Sequence, residues 1–313
     1  MKYFIKKLIS LIITLLLVSL LAFFAFQVIP GDAATAKLGT QATPDKLEAL
    51  REEMGLTGSF LSRYGNWLKD FFSGDMGQSY TYDLSVKGML GQRVCVSGTL
   101  TIMSFLLVVI LSIPIGLFSS RKSDGIFAKI VNVINPVIMS VPPFFLGVIL
   151  TFTFGLVLKL FTPGGFISFD EDPAGYFLYL LFPAIAIALP KSAMTIKLIR
   201  GNIAEELGKD YVRTAYSRGN TRRSVLYRHV LRNILIPLTT FLAMTVADIM
   251  AGSIVVEQVF GIPGIGRLLI SSISNRDYPV AQAIIVIIAS VVILLNYFSD
   301  AIYKYVDPRI RLD

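Results

Sequence analysis

Residues Leu8–Val28 run for 21 positions without one ionisable side chain, and five later stretches come close to doing the same. A helix needs about 20 apolar residues to cross the hydrocarbon core of a bilayer, where backbone polar groups must be satisfied internally. Gly98–Phe118 contains Pro114 but no charge. Ile130–Leu158 holds Asn132, Asn135, Pro136, Pro142 and Pro143, which reads as a kinked span facing protein. Tyr176–Ile199 carries Pro183 and Pro190, with Lys191 and Lys197 placed to snorkel near its end. Ile234–Val256 is interrupted only by Asp248, and Val280–Tyr303 contains Asp300 near its exit. The expectation is an all-α polytopic membrane protein with six transmembrane helices.

Composition narrows the function classes. With 54% hydrophobic and 16% charged residues among 313, the chain fits neither a soluble enzyme nor a disordered regulator. Cys95 is the single cysteine, so no intrachain disulfide forms, and the single His229 cannot build a multi-histidine metal site. Leu8–Val28 follows Lys2, Lys6 and Lys7, as a signal peptide would, and small residues stand at Ala33, Ala34 and Ala36. The run nevertheless exceeds the 7–15 apolar residues or so of a signal h-region, and we read a retained anchor.

Six spans put both termini on one side. That side, with Lys191 and Lys197 counted in its connection between the fourth and fifth spans, holds 19 of the 29 Lys and Arg residues. The positive-inside rule then makes both termini cytoplasmic. The net charge of +8 divides into +12 on that face, −3 on the other and −1 at Asp248. Orientation and lipid headgroups account for this basicity without nucleic acid.

Residues 1–96 read as one helix and a long extracytoplasmic segment, residues 97–306 as a five-helix region, and 307–313 as a tail. In the outer segment, Pro44–Met54 is helix-prone and stops at Gly55. Phe60–Phe72 sets Leu61, Tyr64, Trp67, Leu68, Phe71 and Phe72 at helical spacing, a face for packing on the bundle or for interfacial anchoring. The connection 200–233 reads as two short helices hinged at Gly219. Asn202 and Glu205 resemble a capping box for the first helix, and Ile203, Leu207 and Tyr211 give it an apolar stripe. Thr221 caps the second, which carries Arg222, Arg223, Arg228 and Arg232. On residue chemistry alone the connection fits either a partner's groove or a charged membrane surface. Asp248, an acid inside a span, fits either a substrate amine or a structural pairing with an arginine or backbone group of a partner subunit.

Four separated stretches resemble one family. Asp210–Thr239 (DYVRTAYSRGNTRRSVLYRHVLRNILIPLT) is similar to the cytoplasmic loop signature of binding-protein-dependent ABC import permeases of the dipeptide, oligopeptide and nickel branch. Asn66–Tyr80 (NWLKDFFSGDMGQSY), Val256–Ala281 (VEQVFGIPGIGRLLISSISNRDYPVA) and Asp307–Leu312 (DPRIRL) agree with that branch in order. The general family loop carries Glu-Ala-Ala followed by Gly; the matching positions are Arg213, Thr214, Ala215 and Gly219, with arginine in place of the acid.

The resemblance implies a type I ABC importer permease architecture. It also implies a coupling helix at Asp210, Tyr211, Arg213, Thr214, Ala215 and Gly219 that sits in a groove of a cytoplasmic ATPase. Pro263, Gly264, Gly266 and Arg267 would belong to an outer gate loop beneath a docked binding protein, and Asp248 to the translocation pathway. The implied partners are a second homologous permease, two ATPase subunits and an extracytoplasmic substrate-binding protein. The chain itself is expected to bind no cofactor, with ATP and Mg on the ATPases, since its only Gly-Lys pair, Gly208-Lys209, runs into Asp210 and lacks the rest of a phosphate loop. A stand-alone secondary transporter is the alternative, but one membrane acid and no visible internal repeat fit it poorly. An intramembrane metalloenzyme would need a His-Glu-x-x-His helix, which the sequence lacks.

Overall fold

The structure, a computed structural model, describes residues 2–28, 33–38, 43–122 and 125–306; the proposed tail 307–313 lies outside them. Among the described residues the chain is helical, with one isolated bridge between Gln78 and Ser85. Helix α1 spans Lys2–Val28, α2 Ala33–Leu38, α3 Pro44–Glu53, α4 Phe60–Ser73 and α5 Val86–Arg121. Next come α6 (Ile126–Ser140), α7 (Pro143–Val157), α8 (Pro173–Leu207) and α9 (Asp210–Ser217). The chain continues through α10 (Arg222–Phe260), α11 (Ile265–Ser274) and α12 (Tyr278–Val306). Helices α1, α5, α8, α10 and α12 are each long and apolar enough to cross a membrane.

The third expected span, Ile130–Leu158, differs from its reading. Ile126–Ser140 and Pro143–Val157 are separate helices bent by 99° at the break. Pro142 and Pro143 cause it: neither has an N–H for the preceding turn, and Pro142 forces Val141 into extended backbone at φ −90°, ψ 122°. A bend this sharp makes the pair a broken span or a re-entrant loop, not a kinked span. The end of α7, Thr151–Val157, widens into a π-helix.

Chain packing separates two units, residues 1–97 with 263–294, and residues 98–262 with the end of α12. In the first, the aromatic face of α4 packs on α1. The Phe23 ring lies 5.4 Å from Phe60, 5.5 Å from Tyr64 and 6.1 Å from Trp67, and Ser19 shares a 2.8 Å hydrogen bond with the Tyr64 hydroxyl. Leu61 and Phe72, expected on that face, are exposed. The buried Asp277 carboxylate accepts from the Ser79 hydroxyl and, at 3.0 Å, from the Tyr80 N–H.

In the second unit α8 is the central helix. It buries Leu180, Ala184, Ile187, Ala188, Ile196 and Ile199 and packs against α6, α7 and α10. Gly116 of α5 lets α8 approach closely, since a Cβ there would stand 2.9 Å from Ile199 Cγ2. Asn135 Nδ2 of α6 donates to the Ala193 carbonyl at 2.6 Å.

Candidate functional site

At about 1.5 Å per residue the 35-residue α8 is about 52 Å long, well beyond an apolar core of about 30 Å. Asn202 is therefore mid-helix and caps nothing, and Glu205 and Glu206 sit in the last turn rather than the first. The expected helix from Asn202 does not exist as a separate element. A break at Gly208-Lys209 intervenes, and the short helix is α9. Beyond α9, Gly219 takes φ +81°, the left-handed conformation expected of it. The Thr221 hydroxyl accepts from Ser224 N–H at 3.3 Å and starts α10 as expected. The turn Val225–Val230 of α10 is π-helical.

Helix α9 buries Val212 and Ala215 and rests on that π-helical turn, where Val225, Leu226 and Val230 are buried. Asp210, Arg213 and Thr214 are exposed. The 3.7 Å Asp210–Arg213 pair is solvated on both sides, so it adds little to stability and leaves both charges presented. Tyr211 turns inward, and its hydroxyl donates to the Glu206 carboxylate. Glu206 also accepts from Lys209 Nζ and, at 3.2 Å, from Asn233 Nδ2. One carboxylate thus binds the end of α8, the start of α9 and the body of α10. Desolvation, then the bond to Glu206, pushes the Tyr211 phenol up to about 12, and the same carboxylate raises the Lys209 ammonium. Sequence reasoning missed Glu206 and Asn233 as a clamp; the signal available was an acid two residues before a glycine break.

Asp248 lies well inside α10, where its Oδ2 accepts from Lys191 Nζ of α8 at 2.8 Å. Lys191 is thus not a snorkelling residue at a span end, as expected, but an interior residue of α8 with a partner.

Of the expected outer loop, Pro263 and Gly264 precede α11, while Gly266 and Arg267 are inside it. The glycine-rich segment is a turn that starts a helix. Gly264 has no side chain to cap α11, and Ser97 Oγ of α5 accepts the Ile265 N–H at 2.9 Å instead. The same unit holds a cavity of about 620 Å³ lined by Arg63, Trp67, Tyr80, Tyr278 and Gln282 among others. The structure gathers the expected residues 210–215 on α9 with Gly219 just beyond, whereas Asp248 and Pro263–Arg267 belong to other elements.

Residues 112–312 match the family described as binding-protein-dependent transport system inner membrane component. Residues 1–97 match the N-terminal counterpart, binding-protein-dependent transport system membrane component. The chain belongs to this family. It is a multi-pass bacterial plasma-membrane protein and the permease subunit of a binding-protein-dependent ABC importer, working with other ABC subunits. The dipeptide transport system permease protein DppB of Lactococcus lactis is 32% identical over 99% of both chains. The glutathione transport system permease protein GsiC of Pectobacterium atrosepticum is also 32% identical over 99% of both. A solved structure titled as inward-facing conformations of the MetNI methionine ABC transporter shares the fold. It matches with a TM-score of 0.55 at 15% identity, over 70% of this permease and 96% of that chain.

Proposed function

We propose that this permease forms half of a translocation pathway for short peptides, closed and opened by ATPase subunits that grip α9. The observation that carries the reading is the Glu206 clamp, which joins α9 to both α8 and α10. A short helix held in this way moves as one body with two membrane-crossing helices, so a push on its exposed Asp210, Arg213 and Thr214 face reaches the bilayer. Gly219 supplies the turn that carries the motion into α10. The resident partners are a second homologous permease, two ATPases and an extracytoplasmic binding protein. Both termini and the 200–233 connection are cytoplasmic, and the lipid bilayer surrounds the rest. ATP and Mg are held by the ATPases and hydrolysis occurs there; this chain binds no cofactor and performs no catalysis.

The peptide assignment is supported by relatives whose names specify dipeptide and glutathione transport. Pro263 and Gly264, with Gly266 and Arg267 in the first turn of α11, form the outer gate. Purification of the tagged permease in mild detergent tests the reading. The expected result is co-elution of two ATPases and a second permease, with ATP-dependent peptide uptake after reconstitution with the binding protein. Uptake by this permease without any ATPase would overturn it.

A further inference from the structure

We propose that Lys191 and Asp248 together read the two charged ends of an unblocked peptide as it passes through the membrane. The inference rests on the peptide reading above and adds the residues that meet the substrate. Asp248 sits in a stripe of α10 at alternating spacings of three and four, comprising Met244, Asp248, Ala251, Val255 and Gln258, all exposed on this chain. An ionised pair is costly against hydrocarbon, so this stripe faces protein or water rather than lipid. Within the pair the exposure is uneven. The Lys191 side chain is 19% exposed and Asp248 62%. Lys191 is held at the packed side of the α8–α10 seam, and Asp248 projects beyond it. Among the described residues Lys191 engages only the Oδ2 atom of Asp248, so Oδ1 is available to a second cation.

The chemistry of such a pair selects a zwitterion. Opening the pair without a replacement leaves the largely covered Lys191 ammonium without its counter-charge, which is unfavourable. A molecule with its own ammonium and carboxylate removes that penalty. Its ammonium takes Asp248 and its carboxylate takes Lys191, so every charge remains paired throughout the exchange. A peptide acetylated at its amine or amidated at its carboxyl end satisfies one partner and strands the other. The pair therefore discriminates by repulsion as well as attraction. Neither proton transfer nor any covalent step is involved.

A brace and a reading site respond differently to an apolar replacement. Ion pairs that serve only as braces are commonly replaced by apolar pairs without loss. The test uses the whole reconstituted complex, with uptake of a mixture of unblocked short oligoalanine peptides read by mass spectrometry. Co-purification of the other subunits controls for assembly. For Lys191→Met combined with Asp248→Leu, the site predicts at least tenfold slower uptake by an assembled complex. Uptake at the wild-type rate overturns the proposal and leaves the peptide reading intact. Should the wild-type complex import no oligoalanine, the peptide reading falls and the inference with it. If the double variant does not assemble, isosteric Asp248→Asn decides. Loss of the preference for unblocked over N-acetylated peptide supports the site, and an unchanged preference overturns it.

Discussion

Gly219 and Glu206 stand at neighbouring points of the proposed linkage, and substitutions at them are expected to fail in different ways. An added Cβ at Gly219 would meet nothing within 4 Å, so the cost of a side chain there is conformational. A β-branched residue forced to φ +81° costs about 1–2 kcal/mol. Gly219→Val is expected to raise ATP hydrolysed per peptide imported several-fold, whereas Gly219→Asn, which tolerates the left-handed region, stays near wild type. Coupled ATPase and uptake assays in proteoliposomes check both. Glu206→Leu removes three hydrogen bonds to one carboxylate acceptor, of which those from Tyr211 and Asn233 tie α9 and α10 to α8. The expected outcome is uptake reduced several-fold with the ATPases still bound, measured on the same complex. Gly219 and the Thr221 cap were legible in the sequence because both obey local backbone rules. The Glu206 clamp was not, since its Asn233 partner is 27 positions away and only the fold brings the two together. Lys191 was misplaced for a related reason: the apolar run ends at Ile199, but the helix that contains it continues to Leu207.

At the scale of elements, the apolar runs located the five long membrane-crossing helices and the bent α6–α7 pair, while their ends followed tertiary rules. Helices α5, α8 and α10 extend well past the apolar runs that reveal them, because polar residues continue a helix freely once it leaves the hydrocarbon. The break before α7 exceeds a kink because two consecutive prolines act together. The capping of α11 by Ser97 depends on a residue 168 positions away and leaves no local signal. Close packing of α5 on α8 at Gly116 predicts that Gly116→Leu destabilises the permease by about 1–3 kcal/mol through overpacking. Adding Ile199→Ala should restore part of the loss, read as the thermal aggregation midpoint in detergent. In the first unit, burial and then the nearby Asp277 push the Tyr80 phenol up to about 12. The folded state therefore favours the neutral phenol, which donates to the Met54 carbonyl at 3.0 Å. Its contribution is complete below an unfolded pKa of about 10 and is lost as pH rises toward 12. Tyr80→Phe should show a shallower alkaline decline of unfolding temperature between those limits.

For the whole molecule, charge asymmetry and the proposed α9 dock make one joint statement about orientation. Returning Lys191 to the interior of α8, beside Asp248, leaves 18 cations against 10 and makes the interior pair neutral. The positive side remains the one that carries α9. With Cys95 replaced by serine, a membrane-impermeant maleimide should label Arg218→Cys in inverted vesicles and not in intact spheroplasts. Labelling only from outside would reverse the topology. The central claim, that α9 is gripped by an ATPase, is tested most directly by photo-crosslinking in native membranes. A photoreactive amino acid in place of Thr214 should capture a nucleotide-binding subunit, with a yield that changes on adding ATP. Capture of lipid alone at Thr214, with the same probe at Asp45 capturing the nucleotide-binding subunit, would contradict the account.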